Sequence, residues 1–159
     1  MKLSFSLTGK LYFIRRPGLE EPVSHQERKT SRIASGGDHA GFELKKFISV
    51  HHSESAYEIL DVGALEYDGE DDYPDFARLL AEAVMEGKAD KGILICGSGV
   101  GACITANKVK GIRACLCHDT YSARQGVEHD GMNLICVGGR IIGIELAKVV
   151  LQAFLGAHF

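Results

Sequence analysis

Along most of this chain, short apolar runs with no polar interruption are followed by glycine-bearing turns, and then by stretches whose apolar residues recur at helical spacing. Gly92-Ile93-Leu94-Ile95, ending at Cys96, is the clearest run. A run without alternation suits a strand buried on both faces of a parallel sheet. The unit first occurs at Arg32-Ile33-Ala34-Ser35, which leads through Gly36-Gly37-Asp38-His39-Ala40-Gly41 into a helix reaching about Val50. Tyr57 to Val62 predicts the second strand. Tyr73-Pro74-Asp75 starts a helix with Ala77, Leu80, Ala81 and Val84 on its apolar stripe, ended by Gly87. The stretch Lys91 to Lys108 supplies a third strand, a Gly-Ser-Gly-Val-Gly turn and a helix. Ile112 to Cys117 predicts strand four, and Asp119 caps a helix to about Val127. Asn133 to Val137 is the fifth strand. Gly138-Gly139-Arg140 then leads into a last helix, roughly Ile142 to Leu155, with Ile144, Ala147, Val150, Leu151 and Phe154 on one face.

Five strands alternating with five helices predict an α/β fold, a three-layer αβα sandwich around a Rossmann-like five-stranded parallel sheet. In such a sheet all strands end at one edge, and ligands bind there at a switch in strand order. That edge gathers Asp38 and His39, Cys96 and Ser98, His118 and Asp119, and Arg140. Arg113 opens strand four at the opposite edge and is left out of the site.

Composition narrows the picture. The chain has 159 residues, 45% of them hydrophobic and 25% charged, which fits one globular domain with an ordinary core. Residues 1–31 differ from the rest: Arg15-Arg16-Pro17-Gly18 is a breaker, and Glu20 to Arg32 is polar without a sustained period. They read as a poorly ordered extension ahead of a domain spanning 32–159, in preference to a targeting segment, because Lys10 breaks the apolar stretch from Leu3 to Ile14. Five cysteines without a paired framework suggest reduced thiols in a cytoplasm, with Cys103, Cys115, Cys117 and Cys136 as small buried apolar residues. A net charge of −3 without a basic stripe argues against nucleic acid, and no apolar run reaches membrane-helix length. No His, Cys or carboxylate spacing suggests a metal.

The candidate chemistry centres on Gly97-Ser98-Gly99-Val100-Gly101-Ala102. Glycines there let backbone N–H groups at a helix start approach an anion. The string also fits a loose G-x-G-x-x-G/A fingerprint, so taken alone it is compatible with a nucleotide, a sugar phosphate or a structural turn. Cys96 stands at the strand end beside that helix start, where negative charge on a thiol is favoured.

Taken together, several motifs are more specific: Gly37-Asp38-His39-Ala40-Gly41-Phe42, Asp72-Tyr73-Pro74, Ile95-Cys96-Gly97-Ser98-Gly99-Val100-Gly101, Ala106-Asn107-Lys108, Gly111-Ile112-Arg113-Ala114, Tyr121-Ser122-Ala123, and Glu128-His129-Asp130 with Asn133. With these residues the chain from Ile33 onward resembles the type B ribose-5-phosphate isomerases and their galactose-6-phosphate isomerase relatives. The resemblance implies interconversion of ribose 5-phosphate and ribulose 5-phosphate through an enediol. This needs a base to move a proton between adjacent carbons and donors to hold the developing oxyanion. Cys96 matches the family's catalytic cysteine, Ser98 its proton-handling hydroxyl and His129 its ring-opening histidine. Asp38 and Tyr73 would meet the sugar, and the amides of Gly97, Gly99 and Gly101 would form the anion hole. Some members carry a glutamate base just after this loop, where this chain has Ala102, so the cysteine route is the one expected here. Asp130 stands where the family commonly has asparagine. Members usually continue beyond Gly156-Ala157-His158 into a tail with two arginines that clamp the phosphate across a dimer interface, whereas this chain ends at Phe159. His39 and Arg140 are then the expected phosphate partners. The family's two-subunit sites and the apolar run Ile141 to Leu155 predict a homodimer, with a tetramer as the alternative; no cofactor is expected. His118, His51 and His52 have no matched role.

A competing reading is a small dinucleotide-binding domain with Asp119 as the ribose acid, or a non-catalytic sugar-phosphate-binding domain. Position weighs against the first, because the dinucleotide fingerprint normally opens the first βαβ unit and this copy follows the third strand.

Overall fold

The computed structural model describes residues 31–53 and 57–159, together with an antiparallel pair formed by β1 (Ser4–Phe5) and β2 (Leu11–Tyr12). Apart from that pair and Ser31, the extension expected over 1–31 lies outside the described residues. The remaining elements are β3 (Ser31–Gly37), α1 (Phe42–Ser53), β4 (Tyr57–Asp61), α2 (Tyr73–Met85), β5 (Lys91–Cys96), α3 (Val100–Ala106), β6 (Ala114–Leu116), α4 (Thr120–Asp130), β7 (Leu134–Gly138) and α5 (Ile144–Gly156). The five strands from β3 onward form one all-parallel sheet in the order β4-β3-β5-β7-β6. The expected α/β architecture is the observed one.

Alternation along β5 divides the core. Ile93 and Ile95 turn to the face covered by α1, α4 and α5, where Ile33, Ile135, Val150, Leu151 and Phe154 are buried. Leu94 and Cys96 turn to the other face, with Ala77, Leu80 and Ala81 of α2 and Ala102 and Ala106 of α3. Small residues on the second face let both helices sit close to the sheet, which brings Cys96 near the start of α3.

The sequence boundaries shift where local hydrogen bonds override periodicity. β6 keeps three residues of the predicted Ile112 to Cys117, because it is an edge strand bonded only to β7, and the Asn133 side chain takes the Arg113 N–H at 2.8 Å and donates to the Gly111 carbonyl at 3.1 Å. As an edge residue Cys115 is exposed, contrary to its expected burial. α4 starts as predicted, with Asp119 Oδ1 accepting the Ser122 N–H at 2.7 Å, but runs to Asp130 before Gly131 ends it with φ of 62°. His129 and Asp130 therefore belong to the last helical turn.

Lys91 ties the first residue of β5 to the end of α5. Its ammonium donates to the carbonyls of Phe154 (2.9 Å) and Ala157 (2.8 Å) and lies 4.9 Å from the Phe154 ring centroid. Burial pulls this amine below the usual lysine range. Replacing Lys91 with methionine keeps the apolar stem and orphans carbonyls of buried residues, so we expect a loss of about 1–3 kcal/mol in urea unfolding.

Candidate active site

The chain passes from β3 out to β4 on one side and then back across to β5 on the other, so strand order reverses between β3 and β5. A cavity of about 380 Å³ opens at their C-terminal ends, lined by Asp38, His39, Tyr73, Cys96, Gly97, Ser98, Gly101 and Arg140, with Ala40 and Ile141. This is where parallel sheets place ligands. The turns that build it demand glycine, since a Cβ on Gly37 or Gly41 would collide with the Ile95 carbonyl oxygen. The two loops can then close on each other.

Asp38 is 5% exposed, and its Oδ1 accepts the N–H groups of Ala40 and Gly41, both at 3.1 Å. Burial pushes its carboxyl above the usual range, against the lowering effect of the Gly41 N–H. The acid is held rigidly in the wall. His39 is gripped by Asp71, whose Oδ1 accepts the backbone N–H and faces ring Nδ1, each at 2.8 Å. That bond, chiefly, raises the imidazole above its ordinary value.

Cys96 ends β5 with its sulfur buried and accepting the Gly99 N–H at 3.1 Å. Gly99 has φ of 83°, a conformation that side-chain-bearing residues rarely adopt, and this turns its amide back onto the sulfur. Ser98 is exposed, with its hydroxyl 3.4 Å from the Val100 amide. Gly101 lies against Tyr73 so closely that a Cβ would stand 2.6 Å from ring Cζ. Arg140 follows β7, and its loop is braced to that of Cys96: the Gly139 N–H donates to the Cys96 carbonyl at 2.8 Å and the Arg140 N–H to that of Gly97 at 3.0 Å. A buried thiol, a hydroxyl, a carboxyl group, an imidazole and a guanidinium thus converge on one cavity, a set suited to moving protons on a polyhydroxylated anion.

Other expected residues are elsewhere. His129 and Asp130 are exposed at the end of α4, which runs antiparallel to the strands and so finishes at the opposite sheet edge, where Arg113 Nε donates to the Gly131 carbonyl at 2.6 Å. Asp119 is committed to capping α4, which removes the acid that a dinucleotide reading needs. His118, which has no role matched in the sequence, is half-buried, with Nε2 accepting the Gly138 N–H at 2.9 Å. It secures the end of β7 from which Arg140 springs. His51 and His52 fall where side chains lie outside the described residues. Asp71 was not legible in the sequence, because an acid in Asp68-Gly69-Glu70-Asp71-Asp72 reads as solvated loop. Among the described residues no group of three His, Cys, Asp or Glu is placed to hold a metal ion, and no helix is long and apolar enough to cross a membrane.

A ribose/galactose isomerase sequence profile matches residues 33–159. Ribose-5-phosphate isomerase B of Escherichia coli is 45% identical over 128 residues, covering 80% of this chain and 85% of the relative. D-erythrulose-4-phosphate isomerase of Pectobacterium atrosepticum is also 45% identical, over 130 residues, covering 80% and 84%. Among solved structures, ribose-5-phosphate isomerase B from Mycoplasma genitalium with bound ribulose-5-phosphate superposes with a TM-score of 0.78 at 40% identity, covering 82% of this chain and 86% of that one.

Proposed function

The chain belongs to the ribose/galactose isomerase family, and we propose that it is an aldose–ketose isomerase interconverting ribose 5-phosphate and ribulose 5-phosphate, with Cys96 as the base. The observation that carries the mechanism is the convergence of Cys96, Ser98, Asp38, Tyr73, His39 and Arg140 on one cavity at the switch in strand order. Cys96 sulfur, as thiolate, takes the proton from C2 of the open-chain aldose. The C–H electron pair forms the C1–C2 double bond, and the carbonyl electrons move onto O1. Amides of the Gly97 to Gly101 loop hold that oxygen, and Ser98 passes a proton between O2 and O1. The Cys96 thiol then exchanges its proton with solvent, and delivery of a proton from it to C1 gives the ketose. Asp38, with one oxygen tied to its own loop, offers the other to a sugar hydroxyl, while His39 and Arg140 meet the phosphate.

Ring opening needs a further acid–base group, because Cys96, Ser98, Asp38 and His39 are given to isomerisation and to holding the substrate. We assign it to His129 of a second copy, with Asp130 beside it, so the working unit is a homodimer. Ile141, Ile144, Leu146 and Val149 are 42–58% exposed along and before α5, and support an apolar contact between copies. The catalytic domain is 32–159. Five unpaired cysteines and a phosphorylated substrate support a cytoplasmic setting.

Relatives of equal identity act on a tetrulose phosphate and a pentose phosphate by name, so substrate length is the point to test. Specificity constants for ribose 5-phosphate, D-erythrulose 4-phosphate and galactose 6-phosphate should be largest for ribose 5-phosphate and unaltered by a chelator. A higher value for either competitor, or loss in chelator restored by a divalent ion, contradicts the assignment.

A further inference from the structure

Asp71 lies outside the pocket lining, yet its Oδ1 holds His39 at two points, the backbone N–H and ring Nδ1, both at 2.8 Å. The carboxylate is itself nine-tenths buried, with side-chain exposure of 10% against 28% for His39, and its Oδ2 is buried without a hydrogen-bond partner. A buried carboxylate in this condition is costly unless a cation faces it. Among the described residues its ion-pair partner is His39. Tyr67 stands edge-on to the same ring, with centroids 6.4 Å apart, and limits its rotation. With Nδ1 committed to Asp71, Nε2 is the ring nitrogen left for a ligand.

We propose that Asp71 is a positioning residue for substrate binding: it fixes the His39 ring with Nδ1–H toward itself and keeps the imidazole cationic, so that Nε2–H is presented to the substrate's phosphate. The inference rests on the reading of this pocket as a sugar-phosphate site. The charged and titratable groups around the ring are Asp38 of the same turn, Asp71 and Tyr67 from the β4–α2 loop, Tyr73 of α2, Cys96 of β5 and Arg140 after β7. Of these, Asp71 first and Asp38 after it favour the charged ring, and burial opposes it. The sign follows: His39 carries its charge below its raised value and loses it as pH climbs through that value. A phosphate ester becomes a dianion above about pH 6. Pairing of dianion with imidazolium is therefore strongest from there up to the raised histidine value.

Asp71→Asn keeps an acceptor for Nδ1–H and removes the charge. KM for ribose 5-phosphate should rise by up to about tenfold at pH values where His39 of the unsubstituted chain is charged and that of the variant is neutral, and by less on the acid side where both are charged, with kcat changed by less than about twofold throughout. Asp71→Glu should recover part of the larger loss. Nitrogen–proton correlation spectra of the imidazoles in the full chain, with His39 assigned by its absence in His39→Gln, give a readout independent of turnover. They should show a lower His39 midpoint in Asp71→Asn, a neutral form protonated at Nδ1, and a response of Nε2 to inorganic phosphate that weakens in the variant. These spectra separate the two ideas, since a chain that does not turn over ribose 5-phosphate overturns the isomerase reading while the His39–Asp71 coupling is still read. An unmoved midpoint, a KM change independent of pH, or equal losses in kcat and kcat/KM overturn the role given to Asp71. If Asp71→Asn does not fold, the unsubstituted chain still decides: a His39 midpoint at or below that of a free histidine sinks the proposal.

Discussion

Cys96→Ala is expected to lower isomerisation by about 10²–10⁴-fold while leaving the fold and the affinity for ribose 5-phosphate nearly intact. The side chain is small and buried, and the one bond it forfeits is the Gly99 N–H to sulfur at 3.1 Å, so stability should fall by only about 1 kcal/mol. Turnover falls because no other group that can take a proton shares the Cys96 position, and Ala102 offers none on the next helix. Cys96→Ser sharpens the test, since a hydroxyl of similar size is far less readily ionised and should restore little activity. Calorimetric titration and circular dichroism of both variants separate chemistry from binding and folding. Thiol alkylation needs a site-resolved readout. Hydrogen bonding from Cys136 lowers the Cys103 thiol to about 7, and Cys115 is exposed, so both can react without touching the pocket. Substrate should protect Cys96 and neither of these.

The second large effect concerns the two edges of the sheet. Cys96 ends β5 at one edge, and His129 ends α4 at the other, so one chain cannot bring both to one sugar. His129→Ala should cost about 10² or more in turnover of the cyclic substrate. In a dimer whose sites each draw Cys96 from one copy and His129 from the other, mixing Cys96→Ala with His129→Ala restores one intact site in every mixed dimer. Random exchange of equal amounts should thus recover about one quarter of the unsubstituted rate from two nearly inactive proteins. Sedimentation should show a pair burying at least ~1,200 Å² in total. A mixture no more active than its parents would place ring opening within a single chain.

Sequence pattern carried the fold because β3, β5 and β7 are buried along most of their length, and each runs into a glycine-bearing turn in which at least one glycine is required by a close contact or a positive φ. The same pattern placed Asp38, His39, Cys96, Ser98 and Arg140 at one edge, and the cavity collects all five. Periodicity could not report what a polar residue at that edge bonds to: Asp119 turns back to cap α4 and His118 braces β7. Asn107 and Asn133 sit in the matching motifs, yet both serve the β6 edge, Asn107 by exchanging two hydrogen bonds with Ala114 at 2.8 and 2.9 Å. Pairs distant in sequence were the least legible. Asp71 and His39 lie 32 positions apart, Lys91 and Phe154 63 apart, and neither acid nor lysine departs from its surroundings in composition.

Proton traffic at C2 tests the central claim most directly. Ribose 5-phosphate incubated in D₂O with the unsubstituted chain, and separately with Cys96→Ala, can be followed by proton magnetic resonance. With the unsubstituted chain the C2 proton signal should fade as solvent deuterium enters and ribulose 5-phosphate accumulates; with Cys96→Ala both changes should stop. Undiminished exchange in Cys96→Ala, or ketose formed by the unsubstituted chain with its original proton carried over by hydride shift, would contradict an enediol made by a cysteine base.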